Sequence, residues 1–200
     1  MAENPILKPR IIVFSFTGLR PQEFLALECG HVDFIRKTIS VKQAVNRVYE
    51  FDDSGNVTSK AEKVGKTKTE GSVRDIFPPD VVFNVLREWK SYRDESGIVS
   101  TYVFPNTKNG ERLTYRGLRA ALERFVKSHK LEDEKITLYT FRHTFATILM
   151  EERENPRIIA DLMGHRKASM VLDVYSHVTD DAVYEKTAQT LDGVSKKYSI

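Results

Sequence analysis

The 200-residue chain has one cysteine, Cys29, so no internal disulfide can form, and a thiolate metal site, which needs several sulfur ligands, cannot be built. No uninterrupted apolar run approaches the ~18 residues of a membrane-spanning helix. The apolar stretch near the start, Ile11 to Phe16, follows a polar Met1 to Arg10 and falls short of the ~7 to 15 residues of a secretory core. The chain is therefore expected in the cytoplasm, with no membrane partner. Charge of one sign is also scarce: 31 Lys and Arg against 28 Asp and Glu leave +3, which permits a nucleic-acid partner without requiring one. Internal repeats, low-complexity segments and an interdomain linker are absent, and the length suits one sizeable core.

Several common sites fail on spacing. Gly65-Lys66-Thr67 ends like a phosphate-binding loop, but Lys60 stands where that motif needs its first glycine. None of the histidines His31, His129, His143, His165 and His177 forms a helical zinc pair with a general-base glutamate. There is no Gly-x-Ser-x-Gly elbow.

In the first half, Thr17-Gly18-Leu19-Arg20-Pro21 reads as a turn with Pro21 opening a helix, which places Arg20 at the helix start. Thr38 to Val41, Ala44 to Tyr49 and Ser72 to Phe77 have strand character around a turn at Asp52-Asp53-Ser54-Gly55, predicting a small antiparallel sheet. Lys60, Lys63, Lys66 and Lys68 form a basic stretch read as its last turn. Beyond Pro78-Pro79 the period becomes helical. Val81, Val82, Val85, Leu86 and Trp89 share an apolar face expected in the core, with Asp80 as cap, and Phe125 is expected in the core as well. Tyr102 to Phe104 reads as a short strand, Tyr115 to Lys127 as an amphipathic helix and Thr140 to Met150 as a buried helix. Another helix starts at Asn155-Pro156 and ends at Gly164; a further one leads to Tyr175, and Thr179 caps a last one through Leu191. The fold class is α+β, mostly α, with a small antiparallel β-sheet in the first half.

Two segments stand out: Thr17-Gly18-Leu19-Arg20-Pro21-Gln22-Glu23-Phe24-Leu25-Ala26-Leu27 and Tyr139-Thr140-Phe141-Arg142-His143-Thr144-Phe145-Ala146-Thr147. The second is followed by Leu162-Met163-Gly164-His165 and Asp173-Val174-Tyr175-Ser176-His177. In this order, over about residues 11 to 180, they resemble the catalytic domain of the tyrosine recombinases, the phage integrase family, and most closely the integrases of conjugative transposons.

The resemblance implies that Tyr175 attacks a DNA phosphodiester, forms a 3′-phosphotyrosyl bond and frees a 5′-hydroxyl, which a second strand's hydroxyl later reverses. A phenol of pKa ~10 is under ~1% ionised at neutral pH, so it needs activation. Arg20 and Arg142 match the guanidiniums that bind the phosphate oxygens with bidentate geometry. His165 matches the histidine that bonds the phosphate and manages the tyrosine's proton. Lys68 matches the lysine that protonates the leaving oxygen; Lys66 is the alternative, since strand alternation puts both on one face. Tyr139 stands where the family most often has histidine, and its phenol can donate to a phosphate oxygen without carrying charge.

Glu23, three residues after Arg20, is placed to orient that guanidinium. His143 and His177 are packing or orienting residues. Lys60, Lys63 and Lys66 are DNA-binding candidates. Because the exchange conserves phosphodiester energy, neither metal nor cofactor is implied. The implied partner is double-stranded DNA, with a homotetramer in synapsis and a monomer expected in solution.

Integrases of this type carry an arm-binding and a core-binding domain ahead of the catalytic one, and here the first arginine motif arrives by residue 20. The expectation is a single, N-terminally shortened catalytic domain over 1–200 that lacks both, with the helix and tail at 179–200 exchanged between protomers. Two alternatives stay open: a non-catalytic DNA-binding remnant of an integrase, and a type IB topoisomerase-like relaxation of one strand.

Overall fold

The computed structural model describes residues 4–66, 72–165 and 167–171. Asn4 opens the first helix, α1 (Leu7–Thr17), by accepting the Ile6 and Leu7 N–H groups on Oδ1 at 3.1 and 2.9 Å. Gly18 closes it in the left-handed conformation, φ 60°. A Cβ there would lie 2.7 Å from the Phe145 ring, so glycine serves both the backbone and the packing. Pro21 then starts the five-residue α2 (Pro21–Leu25).

The expected small sheet is two separate antiparallel units. One joins β1 (Val32–Asp33), β2 (Thr38–Val41) and β5 (Arg74–Ile76) in the order β1-β2-β5, with Ile39 opposite Ile76 in the core. The other is a long ribbon of β3 (Gln43–Phe51) and β4 (Val57–Lys66). Asp52 makes its turn, with Oδ1 accepting the Ser54 and Asn56 N–H groups. The stretch carrying Lys60, Lys63 and Lys66 is thus a strand and not a turn: its many lysines obscured an extended segment that pairs residue by residue with β3.

Helices make up the rest: α3 (Asp80–Glu95), α4 (Tyr115–Ser128), α5 (Leu138–Glu151) and α6 (Pro156–Met163). Pro79, and not Asp80, is the N-cap of α3, and Val81 points outward at 40% exposure while Val82, Val85, Leu86 and Trp89 are buried. Phe125 is only half-buried, packed against the His129 ring. Tyr102 to Phe104 forms an isolated bridge from Tyr102 to Glu28 in place of a strand. The expected buried helix, α5, buries only Leu138, Arg142 and Ala146, one residue per turn.

The main core stacks Phe14 on Phe24 and Phe24 on Phe104, with centroids 4.1 and 4.6 Å apart, and Trp89 closes the stack. A smaller core, Ala146, Ile159, Ala160, Met163 and Val171, fastens α6 to α5. These two cores hold α1, α2, α5 and α6 around one point, the C-terminal end of α6. Among the described residues no helix is long and apolar enough to cross a membrane.

Candidate active site

Asn155 caps α6 by accepting the Arg157 N–H at 2.8 Å, and Pro156 occupies its first position. At the other end Gly164 turns left-handed, φ 66°, and the His165 N–H reaches back to the Ala160 carbonyl at 2.8 Å. That leaves the carbonyls of Leu162, Met163 and Gly164 without helical partners. Each accepts from a different arginine: Leu162 from Arg74 Nε at 2.6 Å, Met163 from Arg142 Nη2 at 2.6 Å and Gly164 from Arg20 Nη2 at 2.9 Å. The negative end of the α6 dipole thus collects three guanidiniums that would otherwise repel one another.

One carboxylate completes the cluster. Glu23 Oε1 accepts from Arg20 Nη1 at 2.8 Å and Arg74 Nη1 at 3.2 Å; Oε2 accepts from the Arg20 backbone N–H at 2.9 Å and Arg74 Nη2 at 3.0 Å. Burial pushes the Glu23 carboxyl up, but the bonds and charge of Arg74, followed by those of Arg20, outweigh it and hold the group below its ordinary range. The expected spacing of Arg20 and Glu23 is realised as an ion pair. Three guanidiniums against one carboxylate leave the cluster net positive.

Arg142 projects from the buried side of α5. Its Nη1 donates to the Gly18 carbonyl at the left-handed end of α1, and Nη2 also lies 2.8 Å from His165 Nε2. Guanidinium can only donate, so Nε2 accepts and the imidazole is neutral, with its proton on Nδ1. That Nδ1 is buried and has no hydrogen-bond partner among the described residues. Desolvation first, then the charges of Arg142, Arg20 and Arg74, bring the His165 pKa down to about 4, against a smaller opposing effect of Glu23.

These groups border an open cavity of about 800 Å³ whose wall includes Arg20, Glu23, Gly164, His165 and Tyr139. Tyr139 is 40% exposed, and its hydroxyl donates to Gln22 Oε1 at 3.4 Å. The opposite wall is the ribbon, through Val45, Arg47, Tyr49 and Glu62. The register sets Arg47 opposite Glu62, Tyr49 opposite Lys60 and Gln43 opposite Lys66, so Lys60 and Lys66 share the cavity-side face and Lys63 lies on the other. An ion pair from Arg112 Nη2 to Glu62 Oε2, 3.1 Å, ties the ribbon to the start of α4.

Arg20, Glu23, Tyr139, Arg142 and His165 are therefore brought together, although Arg142 lies beneath the cavity wall. His143 is exposed on α5. Lys68, Tyr175, His177 and segment 179–200 lie outside the described residues. Among the described residues no cluster of three or more His, Cys, Asp or Glu could hold a metal ion.

Arg74 was not singled out by sequence. The signal available was its position two residues before Ile76 on a strand, which turns it to the same face as a core side chain and so demands a buried partner.

Residues 11–182 match the Phage integrase family. The chain is 42% identical over 167 residues to a tyrosine recombinase XerC of Anoxybacillus flavithermus, covering 82% of this chain and 47% of that protein. It is 25% identical over 182 residues to the transposase from transposon Tn916 of Enterococcus faecalis, covering 86% and 42%. Its fold resembles that of the Tn1549 transposon integrase in complex with transposon right-end DNA, with a TM-score of 0.73 at 23% identity over 92% of this chain and 58% of that one. The chain spans about half the length of the curated relatives it matches.

Proposed function

The chain belongs to the phage integrase family, the tyrosine recombinases, and on that footing we propose that it is the catalytic domain of a site-specific DNA recombinase. The reaction is cleavage and rejoining of a DNA strand through a 3′-phosphotyrosyl intermediate. The observation that carries the reading is the cluster of Arg20, Arg74 and Arg142 on consecutive carbonyls at the end of α6, beside His165 and a cavity open to solvent. An excess of fixed guanidinium charge beside an imidazole suits a phosphodiester, whose oxygens gain charge as the nucleophile adds.

In this assignment the Tyr175 oxygen bonds to phosphorus as the bond to the 5′-oxygen breaks. Arg20 holds the phosphate oxygens, Arg142 stabilises their growing charge from beneath, and Tyr139 donates a further hydrogen bond. The Tyr175 proton goes to His165 Nε2 once the arriving phosphate has drawn Arg142 Nη2 off that lone pair. An arriving phosphodiester offsets the guanidinium charges and so raises the basicity of the imidazole. Lys68, or in its place Lys66, protonates the leaving 5′-oxygen. Lys60 and Lys66 line the DNA side of the ribbon. Residues 1–200 form one catalytic domain acting on double-stranded DNA at the nucleoid, as a tetramer in synapsis, with 179–200 exchanged between protomers.

Trapping on nicked suicide duplexes of randomised sequence, resolved on a denaturing gel beside Tyr175→Phe, tests this reading. A retarded covalent band present only in the wild type is expected. The same band in the variant would mean that another nucleophile acts. No band, with salt-sensitive duplex binding retained, would replace catalysis by a DNA-binding role; no salt-sensitive binding would overturn both.

A further inference from the structure

Arg74 is the cation of the site that takes no part in the chemistry just described, yet all three of its guanidinium nitrogens are engaged. Nε donates to Leu162 O, Nη1 to Ser72 O at 3.1 Å and to Glu23 Oε1, and Nη2 to Glu23 Oε2. Its side chain is 8% exposed and that of Glu23 2%, whereas Arg20 keeps 31%. Arg20 is thus the cavity-side partner of the carboxylate and Arg74 the enclosed one. Pairing of Val41 with Arg74 anchors it to β2.

We propose that Arg74 is a positioning residue for the strand-cleavage reaction: through Glu23 it sets the Arg20 guanidinium, and through Leu162 O it sets the turn that presents His165. The proposal rests on the recombinase reading, because it assigns Arg20 and His165 to the reacting phosphate. Three features carry it. Glu23 shares both oxygens between the two arginines, so losing Arg74 leaves two acceptor sites open and the carboxylate free to rotate away from Arg20. Arg74 also bridges two elements far apart in sequence, α2 and α6, whose relative placement decides where Arg20 lies with respect to His165. Finally, a Cβ on Gly164 would meet Arg74 Nη1 at 2.8 Å and Arg20 Nη1 at 3.2 Å, so both guanidiniums pack against the residue that precedes His165. Lysine cannot take over, since one ammonium cannot span a carboxylate and the Leu162 carbonyl as the planar fork does.

The test is a double-mutant cycle on the covalent-trapping rate, with Arg74→Gln, Arg20→Ala and their combination, at saturating duplex. Arg74→Gln is expected to slow adduct formation about 100-fold, the cost typical of a misplaced reacting group. In the Arg20→Ala background it is expected to cost clearly less than in the wild type, since only the route through Leu162 O to His165 remains. Losses that multiply independently, or a wild-type rate in Arg74→Gln, would overturn the proposal. Glu23→Gln combined with Arg74→Gln removes a buried carboxylate that Arg74→Gln leaves with Arg20 as its remaining cation, and its thermal midpoint is expected to exceed that of Arg74→Gln while its rate stays low. A rate that recovers together with the midpoint would reduce Arg74 to a structural role.

Should the wild type form no adduct, the recombinase reading fails, and the positioning claim is judged separately by nitrogen-15 NMR of the Arg20 side chain. Its Nε–H resonance is expected to shift in Arg74→Gln. An unchanged resonance would overturn the claim.

Discussion

The end of α6 and the β3–β4 ribbon face each other across one cavity, and they are built on opposite terms. At the end of α6 each guanidinium is anchored: Arg20, Arg74 and Arg142 each cap a carbonyl, and Glu23 binds two of them. Much of the ribbon is open to solvent, with Tyr49, Phe51 and Val57 exposed, and Arg112 paired to Glu62 as an ion-pair tie to the rest. Two strands alone bury little, so the ribbon gives up stability for reach. The cluster gives up reach for fixed charge, which suits stabilisation of a transition state because no reorganisation is needed when the charge develops. Such a division of labour assigns rate to one wall and affinity to the other.

The largest effect is expected from Arg142→Lys. An ammonium cannot serve Gly18 O, Met163 O and the histidine together, and loss of such a donor costs roughly 3 kcal/mol of barrier, a few hundredfold in adduct formation. Single-turnover trapping reads it, and a loss below tenfold would place the chemistry elsewhere. Next comes Gly164→Ala. The left-handed backbone alone costs about 1 to 2 kcal/mol, and the new Cβ meets an Arg74 that cannot yield while it holds Glu23 and Leu162. The thermal midpoint should fall by several degrees and the trapping rate should fall with it.

Acid should act on the same wall. His165 has its folded pKa lowered to about 4 from an ordinary 6.5, so between those values the unfolded chain binds more protons and stability falls as pH is lowered. Glu23 acts in the same sense further down, since its stabilisation is present above its ordinary pKa and is lost as pH falls through its depressed folded value. Thermal midpoints from pH 7 to 4 should decline in the wild type, and the decline between 6.5 and 4 should shrink in His165→Gln. The smallest effect on the fold is expected from Lys60→Gln with Lys66→Gln. Loss of two phosphate contacts lowers the log–log salt slope of DNA binding by about 2, while Lys63→Gln, on the opposite face, leaves the slope unchanged.

The same contrast explains what could be read from sequence. Residues whose roles follow from local spacing were legible: Gly164 as a helix end, Pro21 and Pro156 as helix starts, Glu23 three residues from Arg20, and the α+β class itself. Arg74 was not, because its partners Glu23 and Leu162 lie 51 and 88 residues away and only the fold brings them together. Strand β4 was hidden by its lysines, which suit a mostly exposed ribbon in which Val64 packs against the core and no residue is fully buried. Val81 fell on the predicted apolar face, yet it lies about 100° around the helix from Val82, at the edge of the buried stripe of Val82, Leu86 and Trp89, and is exposed. The burial of Arg142 under His165 follows from the docking of α5 between α1 and α6 and has no trace in local pattern.

The division of labour is tested most directly by measuring DNA affinity and the covalent-trapping rate at saturating DNA separately, for Arg142→Lys and for Lys60→Gln. The account predicts that the arginine variant binds near wild-type strength and loses its rate, whereas the lysine variant loses affinity and reacts at the wild-type rate once saturated. A lysine variant that stays slow at saturation, or an arginine variant whose only defect is binding, would contradict it.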